Sequence, residues 1–236
     1  MTNKEFKIET KNVIPVELTK SMVKNKLEAF IALKYLKENN ITLHNKIMNI
    51  IEEEVLLLLN YDCIYNYLVD DYMNNNKDRS KGANDFRSPE QVKYNHLIGY
   101  VWECILQGIL EYKGFKVFRV GCDNDILNAK YTISNLPDLE VLSASNEFLL
   151  VDAQKADFNN NNNKFRVKAS KLKGLLKNGK VIITWIGIDE GKIKYTSLAF
   201  NNINDINNKK YTYLTNGIGG KPTYEFTINT NDIRIL

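Results

Sequence analysis

The sequence predicts a mixed α/β protein in which a β-sheet is flanked by helices and preceded by an N-terminal helical subdomain. Apolar residues recur at helical spacing through residues 1–75. A strong amphipathic helix over 94–112 is then followed by short segments of alternating character, which are typical of strands. Residues 181–188 form a nearly continuous apolar run, as expected of a strand buried on both faces of a sheet.

The order of the elements places a boundary near residue 90. We expect a helical subdomain over 1–90 and a core with additional C-terminal strands over 91–236. A basic amphipathic helix is predicted over 165–177, between two strands. The strands expected, in chain order, are 115–120, 139–142, 148–153, 181–188, 193–200, 211–214 and 223–228.

The composition is that of an ordinary globular protein, with 44% hydrophobic and 25% charged residues. No apolar run reaches the roughly 18 residues needed to cross a bilayer. Residues 1–11 are polar and lack the apolar segment of a signal peptide. We therefore expect a cytoplasmic protein without a membrane partner.

The cysteines and histidines exclude most zinc sites. Cys63, Cys104 and Cys122 are far apart and form no CxxC pair, and His44 and His96 are the only histidines. A histidine-based metal cage or an HNH-type nuclease is therefore excluded. A metal ion would have to bind to carboxylates, which favours hard ions such as Mg²⁺.

Two aspartates on neighbouring predicted strands are the best candidates for such a site. Asp138 begins one strand of a predicted hairpin, and Asp152 lies near the end of its partner, with thirteen residues between the two. Across a hairpin these carboxylates can lie side by side, where they repel each other unless a cation separates them. Asp123, Asp125 and Glu140 are the alternatives.

Strand alternation predicts which neighbours share this face. Gln154 points to the same side as Asp152, whereas Lys155 points to the other side unless a bulge intervenes. A lysine at the position of Gln154 would orient or deprotonate water. The positive charge must therefore come from Lys155 through a bulge, from Lys168 or Lys171 on the predicted helix, or from the metal.

This segment resembles the PD-(D/E)XK nuclease superfamily and above all its type II restriction endonucleases. The resemblance is carried by the motifs Pro137-Asp138 and Asp152-Ala153-Gln154-Lys155 and by the preceding helix, which bears Glu103. The resemblance covers residues 94–188 and implies a restriction-endonuclease-like fold. It implies that Asp138 and Asp152 bind the metal, that Gln154 replaces the usual lysine, as in some members, and that Glu103 assists.

The implied activity is Mg²⁺-dependent hydrolysis of double-stranded DNA at a specific sequence, with Mn²⁺ able to substitute. A palindromic site would favour a homodimer. The alternatives are a structure-specific, repair or phage nuclease of the same fold, and a DNA-binding protein with a decayed nuclease site.

Positive charge is concentrated where such a protein would meet phosphates. Residues 155–180 contain eight basic side chains and a single acid, Asp157. The glycine-rich loop 216–221 lacks the GK[ST] ending of a phosphate loop, so no nucleotide cofactor is expected. It is either a turn between strands or a DNA contact. The candidate DNA-binding residues are Lys164, Arg166, Lys168, Lys171, Asn216 and Lys221.

Overall fold

The computed structural model describes residues 20–51, 89–120, 137–143, 146–158 and 163–236 of the chain. Within these ranges the protein is a mixed α/β structure with two sheets. The helices are α1 (Lys20–Asn39), α2 (41–51), α3 (Pro89–Tyr112) and α4 (Ala169–Leu175). The strands are β1 (Lys116–Arg119), β2 (Leu139–Leu142), β3 (Phe148–Lys155), β4 (Lys164–Lys168), β5 (Val181–Asp189), β6 (Lys192–Phe200), β7 (Tyr211–Leu214), β8 (Thr223–Thr227) and β9 (Arg234–Ile235).

The larger sheet is mixed, as the sequence predicts. Its described strands lie in the order β1-β2-β3-β5-β6-β9, and only β3 and β5 pair in parallel. The predicted β2–β3 hairpin forms, and the predicted strands β5 and β6 form a second one. Asn146 lies in the β2–β3 turn with φ +59°, a conformation that asparagine tolerates better than most residues.

Each face of this sheet carries its own hydrophobic core. Helices α1, α2 and α3 pack on one face, where Trp102 and Ile105 meet Val151 and Ile186. The smaller sheet, in the order β4-β8-β7, and helix α4 pack on the other face around Trp185. Asp152 faces this second side, because it alternates with Val151 along β3.

The predicted helix over 165–177 is wrong in its first part. Residues Lys164–Lys168 form strand β4, and helix α4 begins only at Ala169. Phe165 and Val167 are buried while their basic neighbours point outward, which is the period of a strand. The pairing of β4 with β8, about sixty residues later, stabilises this conformation.

Some predictions fall on other parts of the chain. The part of the predicted helical subdomain over 52–88, and the alternative ligands Asp123 and Asp125, lie outside the described residues. The boundary at residue 90 stays a prediction. None of the helices in the described ranges is long and apolar enough to cross a membrane.

Candidate active site

Asp138 and Asp152 lie opposite each other on neighbouring strands. Leu139 pairs with Val151 in the antiparallel hairpin, so Asp138, one residue earlier, lies across from Asp152. Asp138 Oδ2 accepts a hydrogen bond of 2.7 Å from the backbone N–H of Ala153, which fixes its carboxylate beside β3. Asp152 is completely buried and Asp138 is partly buried. The predicted juxtaposition of these two residues is therefore present.

Lys171 of helix α4 contacts both carboxylates. Its Nζ lies 2.7 Å from Asp152 Oδ1 and 3.8 Å from Asp138 Oδ1. Helix α4 begins right after β4, and Lys171, its third residue, extends its side chain to Asp152 on β3. About a third of this side chain remains exposed. The two carboxyl groups thus share one positive charge.

The burial of Asp152 has electrostatic consequences. Burial is the largest cause and raises the pKa of Asp152 to about 7; the Lys171 ammonium opposes this shift, and Asp138 adds to it. Burial disfavours the charged form of Lys171 too, but Asp152 and Asp138 outweigh it, so the pKa of Lys171 is raised. Lys171 is therefore a permanent cation at this site.

Gln154 shares the face of Asp152, as alternation predicts. Its Nε2 donates a hydrogen bond of 2.6 Å to Asp152 Oδ2. An amide donor of this kind cannot accept a proton from water at neutral pH. Its visible effect is to hold the Asp152 carboxylate in one orientation.

Lys155 and Glu103 are set apart from the aspartate pair. Lys155 points to the opposite face, where its Nζ lies 2.5 Å from Glu28 Oε2 of helix α1. Glu103 Oε2 lies 3.8 Å from Arg119 Nη2, and the Glu103 carboxylate contributes to the raised pKa of Lys171. Lys155 thus contacts the helical layer, while Glu103 acts on the site through the field around Lys171.

The donor atoms of the aspartate pair decide whether a divalent metal ion fits there. Among the described residues, no group of three or more His, Cys, Asp or Glu side chains is arranged to hold a metal ion. Mg²⁺, however, is commonly held by one or two carboxylates together with waters and substrate phosphates. A buried carboxylate beside a second one supplies hard oxygen donors and excess negative charge. The two carboxylates would therefore fit a Mg²⁺ ion only if waters and a phosphate supplied its remaining ligands.

The predicted DNA-binding residues separate into two groups. Lys171 contacts the aspartate pair. Lys164 and Arg166 instead lie exposed on β4 and contact Glu225 of β8. Lys168 is the last residue of β4 and immediately precedes α4. Asn216 and Lys221 lie in the β7–β8 loop, which ends beside the start of α4, where Ala169 N–H donates to Pro222 O at 2.9 Å.

Three residues in these contacts were missed from the sequence. Glu28, Arg119 and Glu225 each contact a candidate residue from a distant part of the chain. Alternation in β8 would have placed Glu225 among outward-facing residues, but its partner strand β4 had been assigned to a helix.

A scan against protein-family models, and searches of curated proteins and of solved structures, give no match to this chain.

Proposed function

We propose that this protein is a metal-dependent endodeoxyribonuclease with a restriction-endonuclease-like fold. The observation that carries the proposal is the buried carboxylate of Asp152 opposite Asp138, with the Lys171 ammonium 2.7 Å from the former. Two acids and a lysine close together are residue types that metal-assisted phosphodiester hydrolysis uses.

The metal site would be formed by Asp138 and Asp152. A Mg²⁺ or Mn²⁺ ion held there would supply Lewis-acid stabilisation of charge that develops on a phosphate. Gln154 keeps the Asp152 carboxylate oriented through its 2.6 Å hydrogen bond. The N–H of Ala153 does the same for Asp138. Both ligands are thus held in place before any cation arrives, which lowers the cost of binding it.

Lys171 supplies the positive charge that Gln154 cannot. In the superfamily that the sequence resembles, a lysine usually occupies the position of Gln154 on the strand. Here the ammonium reaches the same two carboxylates from helix α4. Its raised pKa makes it a charge stabiliser and a hydrogen-bond donor to a phosphate oxygen, and excludes it as a general base near neutral pH.

The proposed substrate is double-stranded DNA cut at a specific sequence, as by a type II restriction endonuclease. Basic residues on β4 continue toward the start of α4, so a duplex has charged surface beside the site. A homodimer would match a two-fold symmetric target.

Cleavage of long, mixed-sequence duplex DNA in Mg²⁺ tests this function. We expect wild type to give a reproducible set of discrete fragments. Asp152→Asn should give none, while Glu147→Gln, an exposed carboxylate in the turn of the same hairpin, should cut as wild type does. Cleavage only of branched or flapped substrates would favour a structure-specific nuclease, and intact DNA with every divalent metal would overturn the proposal.

A further inference from the structure

The outer face of the smaller sheet is built around a buried acid. Strand β4 turns Phe165 and Val167 inward and Lys164 and Arg166 outward. Opposite Arg166, on β8, lies Glu225, which also points outward yet is only 4% exposed. The two basic side chains therefore cover it.

Glu225 binds both of these cations. Arg166 Nε lies 2.6 Å from Glu225 Oε2, and Lys164 Nζ lies 3.3 Å from Oε1. Burial alone would raise the pKa of Glu225, but the hydrogen bonds from Arg166 and Lys164 outweigh burial and lower it. The trio keeps one net positive charge.

The loop beside this face is held by Thr223, whose side chain is completely buried. Its hydroxyl accepts a hydrogen bond of 2.9 Å from Ile218 N–H and donates one of 2.9 Å to Lys221 O. A Cβ at Gly217 would lie 2.4 Å from the same hydroxyl oxygen, so only glycine lets the loop approach this closely. Asn216, next to it, is exposed.

This face is continuous with the candidate active site. Lys168 pairs with Thr223, and Pro222 O accepts the hydrogen bond from Ala169 N–H at the first residue of α4. Lys171 lies two residues further on. The end of β4, the β7–β8 loop and the lysine that contacts the aspartate pair are therefore linked at the start of one helix.

We propose that this basic face, defined by Lys164, Arg166, Asn216 and Lys221, binds the phosphate backbone of duplex DNA, and that Glu225 is the positioning residue that presents Lys164 and Arg166 to it. The identity of the partner rests on the proposed function. Long basic side chains lose much rotamer entropy when they bind, and a buried carboxylate that already fixes two of them lowers this cost.

The test is the equilibrium binding of a fluorescently labelled duplex in Ca²⁺, over a series of salt concentrations. Arg166→Gln and Lys164→Gln should each weaken binding, by about tenfold for Arg166, and each should reduce the slope of log K against log salt by about one. Lys37→Gln, an exposed lysine on α1 across the larger sheet, is the matched control and should change affinity less than about twofold.

Glu225→Gln gives the sharper result because electrostatics and positioning predict opposite changes in DNA affinity. Removing a negative charge should tighten DNA binding if electrostatics alone mattered. Positioning predicts binding about three- to tenfold weaker despite the extra positive charge. In the background of Lys164→Gln with Arg166→Gln, the same substitution should have no further weakening effect. Thermal unfolding would verify that each variant is folded at the assay temperature.

Tighter binding by Glu225→Gln, or wild-type affinity in both basic variants, would overturn the inference. Absence of duplex binding by the wild type would do so as well. Binding that follows the expected pattern without any cleavage in Mg²⁺ would contradict the proposed nuclease activity and leave this inference standing.

Discussion

The Lys171 ammonium occupies the place where two carboxylates converge, and a divalent cation would compete with it there. Lys171→Met removes that competitor and leaves Asp138 and Asp152 without a counter-charge. We expect this variant to bind Mn²⁺ or Mg²⁺ more tightly than wild type by calorimetry, and to lose DNA cleavage. Lys173→Met, an exposed lysine on the same helix, should leave metal affinity unchanged. Weaker metal binding by Lys171→Met would show that the lysine does not compete for this site.

Asp152 makes the stability of the metal-free protein depend on pH. Its folded-state pKa of about 7 lies above its unfolded value, so the folded state holds a proton that the unfolded state releases. The associated stability is present at low pH and is lost as pH rises through about 7. We expect the melting temperature without divalent metal to fall between pH 5 and pH 8.

Asp152→Asn is the control for this pH effect. Asparagine stays neutral, so the difference in melting temperature between this variant and wild type should grow in favour of the variant as pH rises. The lowered pKa of Glu225 affects stability only in more acidic solution, outside this window. Equal pH dependence in both proteins would contradict the buried position of Asp152.

At the scale of elements, helices α2 and α3 pack closely because of a glycine. A Cβ at Gly108 would lie 2.3 Å from Ile47 Cγ1, whereas Gly99 on the same helix has no described atom within 4 Å of such a Cβ. We expect Gly99→Ala to stabilise the protein by up to about 1 kcal/mol through helix propensity. Gly108→Ala should destabilise it by about 1–3 kcal/mol, since overpacking outweighs propensity.

Chemical denaturation measures both changes, and Ile47→Ala tests their cause. Because this substitution removes Cγ1 and Cδ1, Gly108→Ala should cost less stability in the Ile47→Ala background than in the wild type. If the two alanine variants behaved alike, the close approach of these helices would be wrong.

The β2–β3 hairpin could be predicted in detail from local signals. Its two strands alternate, a short polar turn joins them, and the thirteen residues between Asp138 and Asp152 set the register. The face of Gln154 followed from the same period of two. Local sequence signals therefore suffice to predict that the two aspartates lie side by side.

The β4–α4 segment could not be predicted from local sequence signals. Lys164–Lys168 has a strand's alternation, but its pairing partner β8 lies far along the chain, and the apolar residues that follow continue equally well as a helix. Lys171 was one of several candidates for the positive charge. Choosing among them required the position of α4 relative to β3, which depends on tertiary packing.

For the molecule as a whole, the N-terminal helices are tied to the strand that carries Asp152. Lys155 follows that residue by three positions and is paired with the largely buried Glu28 of α1. Breaking a buried ion pair leaves an uncompensated charge and costs about 3–5 kcal/mol, whereas replacing both partners by apolar residues costs much less. Glu28→Leu and Lys155→Met should each lower the free energy of unfolding more than the double variant does.

The same double variant separates structure from catalysis. Because Lys155 faces away from the aspartate pair, we expect DNA cleavage to persist in the double variant. Loss of cleavage in a stably folded double variant would return Lys155 to the catalytic residues.

The most direct test of the central claim is the rate at which supercoiled plasmid DNA is cut in Mg²⁺ at pH 8 by wild type, Asp138→Asn and Asp152→Asn. We expect the wild type to cut the plasmid and each variant to be slower by at least about a thousandfold, because the metal ion and its charge stabilisation would be lost. Both variants should remain folded, with Asp152→Asn at least as stable as wild type. Cleavage by either variant at the wild-type rate would contradict the account.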